Sequence, residues 1–223
     1  MSLNHEFILC VHIETRKCYR FRVTVRRYRR PRSAASLDTE GRVLAAAEAL
    51  IHEGKFHAAT VTDLAARAGV ARATVFQRFQ SKLGVLLALA TRCSGGPELR
   101  AVRDAFGVKD ARAAVPAVVA ASCDFWERQG FILVTLKAIA ALEPGAIALI
   151  DSQRAEQSGA CAALARRLHR ENALRPELSA AVAGCTLHML TSAEAFLELR
   201  GHGGLSLEQT RATLSALTQS LLR

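Results

Sequence analysis

Between Thr60 and Lys82 the apolar positions follow a helical rhythm that breaks once and resumes. Val61, Leu64, Ala65 and Ala68 lie three or four residues apart, the spacing of one helix face. Thr60 precedes that stripe and Asp63 stands three residues on, a capping-box pattern. Gly69 then stops the run, because glycine takes the left-handed conformation of a tight turn at little cost. In the second run Val70, Val75, Phe76 and Phe79 are placed to pack back on the first, leaving Arg72, Thr74, Gln77 and Arg78 outside. Two short helices joined by a glycine turn form a helix-turn-helix, whose second helix enters the DNA major groove. Arg and Gln carry the forked donors and acceptors that read base edges.

The same rhythm predicts helices along the rest of the chain. A first helix over Arg42–Glu53 puts Val43, Leu44, Ala47, Leu50 and Ile51 on one stripe and stops at Gly54, after a linker from Pro31 to Ser36. Lys82–Arg92 is a fourth helix, with Val85, Leu86, Leu89 and Ala90 apolar and a break at Ser94–Pro97. Beyond it the pattern predicts helices at about 97–106, 109–129, 131–143, 145–172, 176–200 and 206–222. Val115, Val119, Ser122, Phe125, Trp126 and Gln129 share a face, and Pro116 kinks that helix or marks its true start. Phe131 to Leu142 is apolar almost all round, as in a helix buried within a domain. Small residues at Ala180, Ala181, Ala183 and Gly184 admit a close helix neighbour, and Ser206 with Gln209 forms a second capping box. The fold class read from this is all-α.

The residues that carry this pattern also resemble a family. GRVLAAAEALIHEGKFHAATV from Gly41, followed by TDLAARAGVARATVFQRFQSKLGVLLAL, is similar to the N-terminal DNA-binding domain of TetR-type transcriptional regulators. The resemblance rests on a first helix, the Gly54-Lys55-Phe56 turn, the helix-turn-helix, and Phe79-Gln80-Ser81-Lys82 at the entry to the fourth helix. It implies a DNA-binding domain at 36–82 and a helical effector-binding and dimerisation domain at 83–223. Carried over position by position, Arg72, Gln77 and Arg78 become base readers, and Thr60, Thr62, Thr74 and Lys82 phosphate contacts. Five positions depart from the family pattern: Ala71 where Ser or Thr caps, Phe76 for Tyr, Gln77-Arg78 for an aromatic or histidine pair, and Gln80 for Pro or Gly. In the second half the resemblance implies a small-molecule pocket, with Cys123, Trp126, Phe131, Leu136, His188 and Met189 as its candidate lining. It also implies that the closing helices pair with a second copy through Leu190, Ala193, Leu197, Leu214, Leu217 and Leu221. The function implied is a homodimeric repressor released from a palindromic double-stranded operator by an effector. Activation remains an alternative, as does architectural DNA binding.

Charge changes the picture at one end only. Of the net charge of +10, residues 1–35 hold nine Arg or Lys against two Glu, so the remainder is nearly balanced. In that segment Phe7, Leu9, Val11 and Ile13, then Tyr19, Phe21, Val23 and Val25, alternate with other residues, as strands of a hairpin do. Arg26 to Arg32 reads equally as a basic arm on DNA phosphates or in the minor groove, and the whole extension as a mis-assigned start. Cys10, His12 and Cys18 lie close together but read as isolated residues in a strand-like segment rather than metal ligands. The six cysteines include no CxxC pair, and neither a signal peptide nor a run of eighteen apolar residues is present, so a cytoplasmic protein with reduced thiols and no membrane segment is expected. No GxSxG, HExxH, GxGxxG or P-loop pattern occurs, so neither an enzyme nor a bound cofactor is expected.

Overall fold

In the computed structural model the described residues are 34–140 and 144–223, all helices and connections apart from one isolated bridge. The strand-like and basic readings of residues 1–33, and the Cys10–His12–Cys18 group, lie outside the described residues. The order is α1 (Ala34–His52), α2 (Val61–Ala68), α3 (Arg72–Phe79), α4 (Lys82–Ser94), α5 (Pro97–Phe106), α6 (Ala111–Ala140), α7 (Pro144–Arg170), α8 (Ala180–Leu190), α9 (Ala193–Leu197) with a π-helical turn (Glu198–His202), and α10 (Leu207–Gln219). The all-α expectation holds. Among the described residues no single helix is long and apolar enough to cross a membrane.

Three of the expected boundaries move. Helix α1 begins at Ala34 rather than Arg42, so Ala34 to Ser36, read as linker, are helical. Alanine is the strongest helix former, and Asp38 pairs with Arg42 one turn on, which favours extension. The helices expected at 109–129 and 131–143 are one helix, α6, running through Gly130 and past Pro116. No capping side chain precedes Phe131, and a helical glycine costs only about 1 kcal/mol against alanine, which the surrounding burial outweighs. The segment at 176–200 instead breaks at Thr191–Ser192. There the Ser192 hydroxyl caps α9 by accepting from the Ala195 amide. Trp126 Nε1 and Gln157 Nε2 donate to the Thr191 carbonyl at 2.8 and 3.0 Å, satisfying an acceptor that the end of α8 leaves open.

Apolar side chains collect in three clusters. The first takes Val43, Leu50 and Ile51 of α1, Phe56, Leu64 of α2, Val75 and Phe79 of α3, and Val85, Leu86 and Leu89 of α4. Ile132 and Leu136 from the far end of α6 complete it. The second joins the ends of α5, α6, α7 and α8 around Val115, Leu164, Leu168 and Leu187. It is sealed by the C-terminal residues, where the Arg175 and Arg223 amides donate to the Leu221 and Ala173 carbonyls. The third gathers Val119, Cys123, Leu190, Phe196 and Leu214. The small-residue expectation in α8 is met against α7: a Cβ on Gly184 would lie 3.1 Å from the Ala162 Cα.

Among the described glycines, the one at the connection from α3 to α4 is the most closely approached. Gln80 sits at φ 63°, a region that residues with a Cβ enter at a cost. Ser81 then caps α4 by accepting from the Gly84 amide. At Gly84 an added Cβ would lie 1.8 Å from the Phe79 carbonyl oxygen, so no larger residue fits without parting the two helices. Gly41, by contrast, is helical with nothing within 4 Å of an added Cβ. Gly84→Ala is therefore expected to lower stability by about 3 kcal/mol, whereas Gly41→Ala raises it by up to about 1 kcal/mol. Urea unfolding midpoints of the two variants check the opposite signs.

Candidate nucleic-acid interface and ligand cavity

Helices α2 and α3 present the outward face of the helix-turn-helix. The capping box at its start is formed: the Thr60 amide and hydroxyl donate to Asp63 Oδ2 at 2.8 and 2.7 Å, and the Asp63 amide donates to Thr60 Oγ1. These donations hold the Asp63 carboxyl below its usual pKa, the Thr60 backbone N–H first among them. Gly69 ends α2 at φ 63°, as its place in the pattern required. Ala71 gives α3 no side-chain cap, so the first turn's amides point outward without a protein side chain on them.

The face splits the candidate DNA contacts into two groups. Thr60, Thr62, Arg72 and Gln77 are exposed, and Thr74 is partly so. Arg78 and Lys82 are engaged inside the protein. Arg78 turns toward α1, its Nη1 3.5 Å from Glu40 Oε2, with both side chains about three-quarters shielded. Lys82 Nζ donates to the carbonyls of Phe56, His57 and Ala59 at 3.1, 2.8 and 3.0 Å and lies over the Phe56 ring. An ammonium has three donors, and here all three are used on the loop between α1 and α2. Burial pushes the Lys82 pKa below its ordinary value. The packing expectation for Phe76 is corrected. Val75 and Phe79 are buried in the first cluster, but Phe76 is 46 % exposed with the Arg72 guanidinium 5.5 Å from its ring centroid. Val75 and Phe79 are spaced to fill the inner stripe of a two-turn helix, and Phe76 falls outside it.

A cavity of about 560 Å³ opens among α4, α5, α6, α7, α8 and α9. Leu99, Val102 and Phe106 of α5, Phe125, Trp126, Ile132 and Leu133 of α6, and Ile150 of α7 give it apolar walls. Of the six residues expected to line it, Trp126, His188 and Met189 do. Cys123 is buried in the third cluster. Leu136 is buried in the first, and Phe131 packs its ring 3.7 Å from that of His52 on α1. These three point to the other sides of α6, a distinction that spacing alone blurs in a helix apolar all round. Of the cavity's polar residues, His188 is among those expected and Ser122 lies on the face predicted to be shared with Trp126, whereas Ser94, Gln153, Gln157 and Ser192 carry no signal in the spacing. The Cys93 thiol donates to Gln129 Oε1 at 3.1 Å, and Gln153 Nε2 donates to Ser94 Oγ at 2.7 Å, pinning the end of α4 to α6 and α7. Burial pushes the Cys93 thiol up to about 11, so it stays a protonated donor at neutral pH. Lys137, Glu194 and Arg154 form an ion-paired group on the wall. Burial, then Arg154, lowers the His188 pKa, and its shielded Nδ1 has no hydrogen-bond partner among the described residues.

The six candidate dimer residues separate in the same way. Leu190, Ala193, Leu214 and Leu221 are buried within the chain, and Leu197 is partly buried against the third cluster. Leu217 is 47 % exposed. Val182 and Met189 of α8, at 52 % and 59 %, are the other large apolar side chains exposed on the packed pair α8 and α10.

Residues 43–89 match the family profile described as bacterial regulatory proteins, tetR family. Solved structures share the fold over most of the chain. The TetR family transcriptional regulator PfmR from Thermus thermophilus is 21 % identical, with a TM-score of 0.63 over 86 % of this chain and 96 % of its own. A transcriptional regulator from Saccharomonospora viridis in complex with choline is 20 % identical, with a TM-score of 0.72 over 83 % and 98 %. The ketosteroid transcriptional regulator KstR2 of Mycobacterium tuberculosis is 18 % identical, with a TM-score of 0.63 over 82 % and 94 %. No curated protein matches the sequence.

The geometry of Lys82 makes it a structural residue first. Lys82→Ala leaves three carbonyls without their donor and is expected to cost about 2 kcal/mol of stability. A lowered urea midpoint at unchanged m-value is the expected result. The slope of log affinity for DNA against log salt should stay as in the parent, since no phosphate contact is lost.

Proposed function

From a chain that carries a TetR-type DNA-binding domain on the TetR-type fold, we propose a homodimeric transcriptional repressor, released from a palindromic operator by a small-molecule effector. In this reading residues 36–82 bind DNA and 83–223 bind the effector and the second copy. The observation that carries it is the sharing of helices between the two sites. On α4, Val85, Leu86 and Leu89 sit in the helix-turn-helix core while Ala90, Cys93 and Ser94 line the cavity. Ile132 of α6 belongs to both. A molecule filling the cavity therefore presses on atoms within one or two helical turns of the DNA-binding core.

The cavity favours an effector with an apolar body and one hydrogen-bonding group. Its volume falls in the range of small-molecule sites. His188 stands on its wall as a polar side chain. That neighbours of this fold include a complex with choline and a ketosteroid regulator supports a small organic ligand. By linkage, an effector that weakens operator binding must itself bind more weakly, by the same factor, when the operator is present.

Exposed Arg72 and Gln77 are the base readers in this proposal, with Thr60, Thr62 and Thr74 toward phosphates. Arg78 reaches DNA only by leaving Glu40. Two copies pair through the apolar side chains that α8 and α10 expose, Val182, Met189 and Leu217. Paired copies would present two α3 helices about one DNA turn apart.

Trp126 is the chain's single tryptophan and lines the cavity, so its emission reports on effector directly. Screening small amphipathic molecules by Trp126 fluorescence should yield a ligand that lowers affinity for an operator selected from random duplexes. Arg72→Ala should lose about 1–3 kcal/mol of operator affinity and relax its selectivity. A reporter gene placed behind the operator should be silenced by the protein and restored by the ligand; activation of the reporter would replace repression. For the dimer, Val182→Glu with Leu217→Glu is expected to give a helical monomer by sedimentation, without operator binding. A parent protein that sediments as a monomer at micromolar concentration would remove the pairing.

A further inference from the structure

The exposed ring of Phe76 has no part in the core. Within α1 to α4 it is the large apolar side chain that the described structure leaves exposed. It lies one residue from buried Val75 and three from buried Phe79, so the fold does not need it. It is also joined to a charged group: the Arg72 guanidinium, one turn earlier on the same helix, lies over its ring. Gln77 is exposed beside it. With Lys82 committed to three carbonyls and Arg78 facing Glu40, the outer surface of α3 presents chiefly Arg72, Phe76 and Gln77.

We propose that Phe76 reads sequence, by packing its ring against the 5-methyl group of a thymine in the major groove. This rests on the reading that α3 docks in that groove. The apolar feature that the major groove offers a protein is the thymine methyl, and the commonest partner of an arginine there is the O6/N7 edge of guanine. Arg72 Cζ lies 5.5 Å from the ring centroid. Successive base pairs are about 3.4 Å apart along the helix axis, so a guanine for Arg72 and a thymine for Phe76 belong on neighbouring pairs. Each half-site is thus assigned a thymine beside a guanine. The absence of a hydroxyl on Phe76 fits a contact with a methyl group, since this ring has no donor for a phosphate.

The test removes only the methyl group. An operator is first selected from random duplexes with the full chain, and its thymines are then replaced one at a time by deoxyuridine. The parent protein is expected to lose about fourfold in affinity at one thymine per half-site, the effect of one methyl-sized group. That thymine should adjoin a guanine. Phe76→Ala, and separately Phe76→Ser, should bind the thymine and uracil operators equally. Because the ring is exposed, both variants should melt within a few degrees of the parent. A parent protein indifferent to every deoxyuridine replacement overturns the proposal, as does a Phe76 variant that keeps the parent's loss. If Phe76 only orients Arg72, its variants weaken the two operators equally while the parent ignores uracil, which also overturns it. Failure to enrich any duplex would instead overturn the docking of α3 itself, and with it this contact.

Discussion

Helix α6 constrains everything around it. Its 30 residues span about 45 Å at the usual rise, and along that length it enters all three hydrophobic clusters. Val115 and Val118 lie in the second, Val119 and Cys123 in the third, and Ile132 and Leu136 in the first. An α-helix changes length or bends only at the expense of its own hydrogen bonds. The first core is thus held by a rod whose other end is buried among α5, α7 and α8. Phe131 against His52 adds a second attachment, on α1. Filling the cavity beside Phe125, Trp126 and Leu133 cannot be a purely local event, because those side chains sit on that same rod.

The junction between α3 and α4 determines what such a displacement would do. Gly84 against the Phe79 carbonyl, the Ser81 cap and the Lys82 ammonium on three carbonyls all fall within six residues. Packed interiors transmit strain because they have little free volume to absorb it. A shift of α4 is therefore passed to the outward helix rather than taken up between the two. At its other end α4 is held by side-chain contacts: Cys93 to Gln129, Gln153 to Ser94, Arg103 to the Ser94 carbonyl and Arg92 to Glu48. In the proposed reading, a ligand that competes for Gln153 would remove one of these contacts.

The sequence was most legible where local rules and burial agree. The capping boxes at Thr60 and Ser206, the stop at Gly69 and the stripes of α1, α2 and α4 were all readable from spacing. The boundary at Thr191 failed because its decisive partners are remote. Nothing near Thr191 announces that Trp126 and Gln157 will take its carbonyl, and without them the 176–200 pattern reads as one helix. Side-chain roles failed for a related reason. Arg78, placed outside by spacing, and Lys82, assigned to DNA by the resemblance, both meet partners more than 20 residues away. Leu190, Leu214 and Leu221, implied by the resemblance to face a second copy, are likewise covered within the chain.

The polar lining of the cavity shows why the chemistry of the proposed effector is harder to read than that of the α3 surface. The outward residues of α3 come from one eight-residue stretch, so their identities alone bound what they can contact. The cavity draws on six helices, and its charges are largely spent on one another: Lys137 and Arg154 on Glu194, Arg103 on Glu156. What remains for a ligand is the difference between the groups present and the groups already satisfied. That difference narrows to the His188 side chain and the side chains of the α4 clasp, set in walls of Leu, Ile, Val and aromatic residues. A buried polar atom without a partner is costly. A ligand that breaks a bond of the α4 clasp would have to supply a partner of its own, beside the helices that share the DNA-binding core.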